Sequence, residues 1–208
     1  KRMGKGAPKT ECWYIISAEP GSVIYKGLKQ GVTKEQFATA IEQSNVDELL
    51  AQVEVRGGEC HFLPAGTVHA IGPGLVIAEI QTPSDTTYRV FDWNRLDDGH
   101  KPRPLHIREA LDSINFDAAG AELPVATVGR LAECEYFKVD KGHQLSGEEV
   151  LLSATGPTVL LGITGAGTII SGNCEPVSLE PGRTVLVPAD FEGFIRFAED
   201  TEYLQISV

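Results

Sequence analysis

The sequence predicts a mainly β protein: two similar β-barrels in tandem, with a small helical insertion in the first. Three observations lead there. Short apolar runs recur between Gly, Pro, Asp and Ser turns, the spacing expected of a sandwich or barrel. One segment, from Thr33 to Val53, changes to a period of three and four residues. A weak internal repeat joins the two halves. Arg56-Gly57-Gly58-Glu59-Cys60-His61-Phe62-Leu63-Pro64-Ala65-Gly66 and Glu180-Pro181-Gly182-Arg183-Thr184-Val185-Leu186-Val187-Pro188-Ala189-Asp190 each place a glycine turn, a short strand and then Pro-Ala. The glycine admits a tight turn, and the proline ends the pairing where its missing N–H does no harm.

The elements follow in order. Cys12 to Ile16 is aromatic and β-branched, a buried strand closed by Glu19-Pro20-Gly21, and Ser22 to Tyr25 continues the sheet. Phe37, Ala40, Ile41, Val46, Leu49, Leu50 and Val53 recur with the helical period. Thr33 with Gln36 forms a capping box, and Ser44 or Asn45 before Asp47-Glu48 offers a second start, so two short helices are expected. Another helix is expected from Ile107 to Ile114. Further strands are read at Cys60 to Leu63, Leu75 to Ile80, Thr158 to Ile163, Thr184 to Val187 and Tyr203 to Val208. Residues 115 to 123, rich in Ala and Gly, read as a linker. The expected division is a first barrel over 1-114, with its insertion at about 33-53, and a second over 115-208.

Composition narrows the function classes. The 208 residues carry a formal net charge of -11, which argues against nucleic acid or an anionic membrane as a partner, since both need a positive face. A phosphorylated substrate would therefore need cations gathered locally. There is no apolar run long enough to span a membrane, and the basic start is followed by no signal-peptide core. Cys12, Cys60, Cys134 and Cys174 are scattered without paired spacing and read as reduced thiols, so the expected location is cytoplasmic.

The chemistry begins after the first Pro-Ala. Gly58 to His69 reads G-x5-P-x-G-x2-H, which resembles the second motif of the cupin family, in which such a histidine points into a jelly-roll barrel and binds a metal. The family's usual Asn beyond the histidine is replaced here by Pro73. In the second repeat Asp190 stands where Gly66 does, and no histidine follows, so that barrel is expected to carry no metal ligands.

Two more segments sharpen the resemblance. Lys9-Thr10-Glu11-Cys12-Trp13-Tyr14 is similar to the K-x-E-x-W-Y segment of short, bacterial-type type I mannose-6-phosphate isomerases, where the glutamate is a metal ligand. Gln81 to Arg95 resembles that family's Q-x-x-S-D-x-T-Y-R-x-[YF]-D-[YW]-x-R run, whose arginine after the tyrosine is assigned to the active site, and Pro102-Arg103-Pro104-Leu105-His106 resembles its P-R-x-L-H. The resemblance implies an aldose-ketose isomerase that interconverts mannose 6-phosphate and fructose 6-phosphate through a metal-stabilised enediol. It implies one zinc ion with Glu11 and His69 as ligands, Arg89 as a catalytic residue, and a small-molecule sugar phosphate as the partner.

The residues fit such chemistry. Negative charge builds on the carbonyl oxygen during the proton shift, and a divalent cation held by a carboxylate and an imidazole can stabilise it. Arg89 can donate two parallel hydrogen bonds to a substrate oxygen, or else pair with Asp85 or Asp92 at the surface. Lys9 and Arg103 are the cations expected to bind the sugar phosphate. Tyr88, Trp13 and Trp93 could wall a sugar site but more commonly fill a core. His61, on the strand leading to Pro64, reads as a strand residue.

The family takes its remaining ligands from a Gln-x-His segment upstream of the glutamate, and the ten residues before Glu11 contain no histidine. The expectation is that the chain is part of a longer polypeptide. The competing reading is a non-catalytic double-cupin sugar-binding or regulatory protein.

Overall fold

The computed structural model describes residues 8–208 apart from positions 94, 97, 154, 155 and 173. Strands dominate, and the chain divides into two compact units, 1–124 and 125–208. Residues 115 to 124 count with the first unit because they are bonded to it. Asn115 N donates to Gly66 O at 3.0 Å and Gly120 N to Leu28 O at 2.9 Å.

The first unit holds two sheets. One runs β6-β1-β4, from β1 (Glu11–Ala18), β4 (Cys60–Leu63) and β6 (Leu75–Gln81); the other runs β3-β2-β5, from β2 (Val23–Leu28), β3 (Leu50–Glu54) and β5 (His69–Ile71). All pairings are antiparallel. Trp13, Ile15 and Leu63 from the first sheet meet Ile24 from the second in a buried cluster, so the space between the sheets is the core. β1 is central in its sheet and buried on both faces along its first five residues, which suits an aromatic and β-branched sequence better than alternation does.

The insertion packs beside these sheets. Helix α1 (Lys34–Gln43) starts at Thr33 with the expected capping box and ends at Ser44, whose φ of 59° turns the chain so that Asn45 N donates to the Ala40 carbonyl at 3.0 Å. Phe37 and Val46 anchor it to Leu28, Leu50 and Ile114. The expected second helix is one 3-10 turn, Val46–Leu49, and the chain enters β3 at Leu50. Val53 belongs to that strand because it pairs with Ile24. Helix α2 (Ile107–Ser113) lies where the sequence placed it.

The second unit begins with the two-residue strand β7 (Val125–Ala126). β8 (Gly129–Glu133), β9 (Lys138–Gln144), β11 (Thr158–Thr164), β14 (Thr184–Val187) and β16 (Thr201–Ser207) form one sheet, in the order β14-β11-β16-β9-β8. β10 (Glu149–Ser153), β12 (Gly167–Ser171), β13 (Cys174–Leu179) and β15 (Glu192–Phe197) form another, in the order β10-β15-β12-β13. Leu160, Leu179, Val187, Ile195 and Phe197 fill its interior with apolar side chains. The repeat has a backbone counterpart. Gly58 and Gly182 both take positive φ before their strands, and Gly66 (91°) and Asp190 (61°) both take it after them.

Candidate active site

The metal candidates come from different sheets of the first unit and meet between them. Glu11 opens β1, paired with Leu63 of β4 and Gln81 of β6, and is 1% exposed. His69 opens β5. The turn before it is set by Gly66, whose left-handed backbone and position 3.0 Å from the Ser113 carbonyl, measured from an added Cβ, would strain any other residue. Thr67 N closes that turn on Pro64 O at 3.0 Å.

The two side chains face each other, with His69 Nε2 3.1 Å from Glu11 Oε1. His69 Nδ1 donates to the Thr67 carbonyl at 2.8 Å, which in the neutral ring leaves the Nε2 lone pair aimed at Glu11. Glu11 Oε1 is buried without a hydrogen bond. Two electron-pair donors thus converge on one place, and both fit a cation such as zinc. Among the described residues no group of three or more His, Cys, Asp or Glu side chains converges on a common point.

Lys9 supplies charge beside them. Its ammonium contacts Glu11 Oε2 and lies 2.9 Å from Glu79 Oε1. Burial works against the charge on Glu11, but Lys9, together with His69 where its Glu11-facing nitrogen carries a proton, outweighs it and holds the carboxyl below its usual range. Burial likewise opposes the charge on Lys9, and Glu11 and Glu79 outweigh it, raising its pKa.

A cleft of about 730 Å3 opens from this pair, lined by Lys9, His69, Arg89, Trp93, Arg95 and Arg103 among others. One wall is the irregular stretch between β6 and α2. Arg89 is pinned there: His106 N donates to its carbonyl at 2.7 Å, and its own Nη1 donates to Pro104 O at 3.3 Å. Arg103 is engaged by Asp92 through both Nε, at 2.6 Å, and Nη2; this pairing is the main cause of the lowered Asp92 pKa. Arg95 stacks its guanidinium over Trp93, 5.6 Å from the ring centroid, and Trp93 in turn touches Tyr25 and Phe91.

The geometry therefore brings Glu11, His69 and Lys9 together and puts Arg89 and Arg103 on the cleft wall, with Arg103 already paired. It adds residues that sequence reasoning passed over. Arg95 closes the Gln81 to Arg95 run and was given no role, although its place in that run was a usable signal. Glu79 sits two residues before the run on the same strand face as Gln81. Asp92, which the sequence offered as a surface partner of Arg89, pairs instead with Arg103, and a pairing across eleven residues of loop leaves no periodic trace. His61 is fully buried, with Lys26 Nζ 3.5 Å from Nδ1 and Glu59 Oε2 3.1 Å from Nε2, so it is a partnered strand residue.

Two facing antiparallel sheets with a carboxylate and an imidazole turned inward between them define a cupin-like protein with a candidate metal pair. No protein-family profile matches the chain. The mannose-6-phosphate isomerase of Streptococcus mutans is 34% identical over 202 residues, 94% of this chain and 63% of that protein. The mannose-6-phosphate isomerase ManA of Bacillus subtilis is 39% identical over 171 residues, 79% of this chain and 54% of that protein. The crystal structure of the mannose 6-phosphate isomerase from Bacillus subtilis superposes with a TM-score of 0.83 at 27% identity, over 96% of this chain and 65% of that one. A zinc-bound mannose 6-phosphate isomerase, 15% identical, shares the fold with a TM-score of 0.68, over 95% of this chain and 65% of that one. The chain belongs to the mannose-6-phosphate isomerase family. It spans between 54% and 63% of the length of the curated relatives it matches.

Proposed function

We propose that this chain carries the zinc-binding part of an isomerase that interconverts mannose 6-phosphate and fructose 6-phosphate in the cytoplasm. The observation that carries the reading is the 3.1 Å approach of Glu11 Oε1 and His69 Nε2, two electron-pair donors turned toward each other where a buried carboxylate meets the cleft. Zinc, when bound, supplies Lewis acidity toward the carbonyl oxygen of the substrate. The chain's own residues do the rest. Lys9 balances Glu11 and offers a cation at the inner end of the cleft. Arg89, held through its backbone and Pro104, directs its remaining donors at a substrate oxygen. Arg95, which forms no salt bridge with a described residue, is the cation left for the phosphoryl group once Arg103 is taken by Asp92. Phe91 and Trp93 screen the sugar from water. The second unit, filled by apolar side chains, holds no ligand in this reading. The four cysteines of the chain, Cys12, Cys60, Cys134 and Cys174, form no disulfide, which is compatible with a reducing cytoplasm.

Chelation of the intact protein tests this. Activity on mannose 6-phosphate should vanish with the metal and return with zinc; an undiminished rate in metal-free protein overturns the reading. The same experiment separates it from a His69 protonated on both nitrogens, which would satisfy Glu11 without a metal. A non-catalytic sugar-binding role, which the count of two donors among the described residues favours, predicts sugar phosphate binding without turnover.

A further inference from the structure

We propose that Trp13 is a positioning residue that fixes the imidazole plane of His69, so that Nε2 stays turned toward Glu11; this rests on reading Glu11 and His69 as a ligand pair. Trp13 lies two residues after Glu11 on β1, so both side chains project from the same face of the strand. It is 2% exposed and belongs to the cluster between the two sheets. Its indole meets the His69 ring at 5.1 Å between centroids with the planes at 89°, an edge-to-face contact.

His69 needs such a contact. It stands at the first position of a three-residue strand, and its side chain is 29% exposed. The hydrogen bond from Nδ1 to the Thr67 carbonyl restrains one edge of the ring but tolerates tilts of roughly tens of degrees. A perpendicular aromatic surface removes that freedom. A ligand nitrogen must be held within roughly half an ångström and 10–20° of its working geometry, which a single hydrogen bond on a half-buried ring does not guarantee. Trp13 itself is held firmly, since β1 is hydrogen-bonded on both sides, with His61 opposite it on β4 and Glu79 opposite it on β6. One strand thus presents both the carboxylate ligand and the wall that aims the histidine.

The Trp13 Nε1–H is buried without a hydrogen-bond partner among the described residues. What Trp13 gives His69 is therefore the ring and not a hydrogen bond, and a phenylalanine should serve in its place while an aliphatic side chain should not.

The test uses the intact protein with zinc alone as the probe, measuring affinity by competition with a chromophoric chelator and folding by thermal unfolding. Trp13→Phe should bind zinc within about threefold of the unmodified protein, while Trp13→Leu should bind it at least about tenfold more weakly, the scale of losing an outer-shell partner. Ile24→Val, a change in the same core cluster at a residue paired with Ile71 and not with His69, should lower the unfolding temperature and leave the affinity unchanged. If Trp13→Leu does not fold, Trp13→Met, which fills more of the same space, replaces it with the same expected loss. Equal zinc affinity in the aliphatic and phenylalanine variants overturns the proposal. Failure of the unmodified protein to bind zinc overturns the ligand-pair reading beneath it, and needs no variant to be seen.

Discussion

Replacing Glu11 by glutamine conserves the volume of the side chain and removes its charge. Glu11 is 1% exposed, so water cannot compensate. At Oε2 the contact with Lys9 loses a charged acceptor, and hydrogen bonds to charged groups contribute roughly 1.5–3 kcal/mol. Lys9 keeps its 2.9 Å pair with Glu79 and is not left unpaired, so the metal-free protein should lose no more than about 3 kcal/mol. At about 2–4 °C per kcal/mol for a chain of this size, the unfolding temperature should fall by no more than about 6–12 °C. At Oε1 the loss is larger in its consequence, because a neutral amide replaces the anionic half of the ligand pair. Zinc affinity should drop by at least about a hundredfold, roughly 2.7 kcal/mol. Titration calorimetry with zinc, beside scanning calorimetry of the metal-free protein, reads both effects. A glutamine variant that bound zinc as tightly as the unmodified protein would refute the assignment of Glu11, whatever happened to its stability.

Other expectations concern the cleft wall and the second unit. Arg95→Met should raise KM for mannose 6-phosphate by roughly ten- to a hundredfold with little change in kcat, since it removes a binding cation and no group at the reacting carbons; steady-state kinetics showing a fall in kcat alone would contradict that role. Tyr203 is buried, and burial first of all raises its pKa above the usual 10.0. The folded second unit therefore favours the neutral phenol, and its stability should be fully present below pH 10 and fall as pH rises further, because the unfolded chain gives up the proton first. Tyr203→Phe should flatten that alkaline decline in denaturant melts; an unchanged slope would show that the phenol does not cause it.

The sequence was most legible where turn chemistry bounds an element. β4 and β14 fall at the residues expected because Gly58 and Gly182 open their turns and Pro64 and Pro188 follow their ends. The Thr33 capping box likewise marked the start of α1. Legibility failed where one apolar spacing served two structures. Val46 and Leu49 belong to a 3-10 turn and Leu50 and Val53 to a strand, yet together they mimic one helical stripe. β9 escaped notice because Lys-Val-Asp-Lys-Gly-His-Gln contains a single apolar side chain, Val139, which is fully buried. β13 carries Pro176, tolerated because this strand lies at the sheet edge.

The candidate site shows the same division. Glu11 and His69 were visible because each sits in a motif tied to a fixed local geometry, a strand start and a Pro-x-Gly turn. The engagement of Arg103 by Asp92, and of Lys9 by Glu79, depends on loops and strands meeting across eleven and seventy residues, which no local pattern encodes. Trp13 was read as a core residue, and it is one; its contact with His69 becomes evident only when the two sheets face each other.

The most direct measurement is X-ray absorption at the zinc edge on the zinc-loaded intact protein, repeated on His69→Ala. The unmodified protein should give a shell of nitrogen and oxygen ligands at about 2.0–2.2 Å with the multiple scattering of imidazole, and the variant should lose metal content together with an imidazole contribution. A zinc shell with the same imidazole signal and the same occupancy in the variant would mean that the metal, if it serves this protein at all, is held somewhere other than between Glu11 and His69.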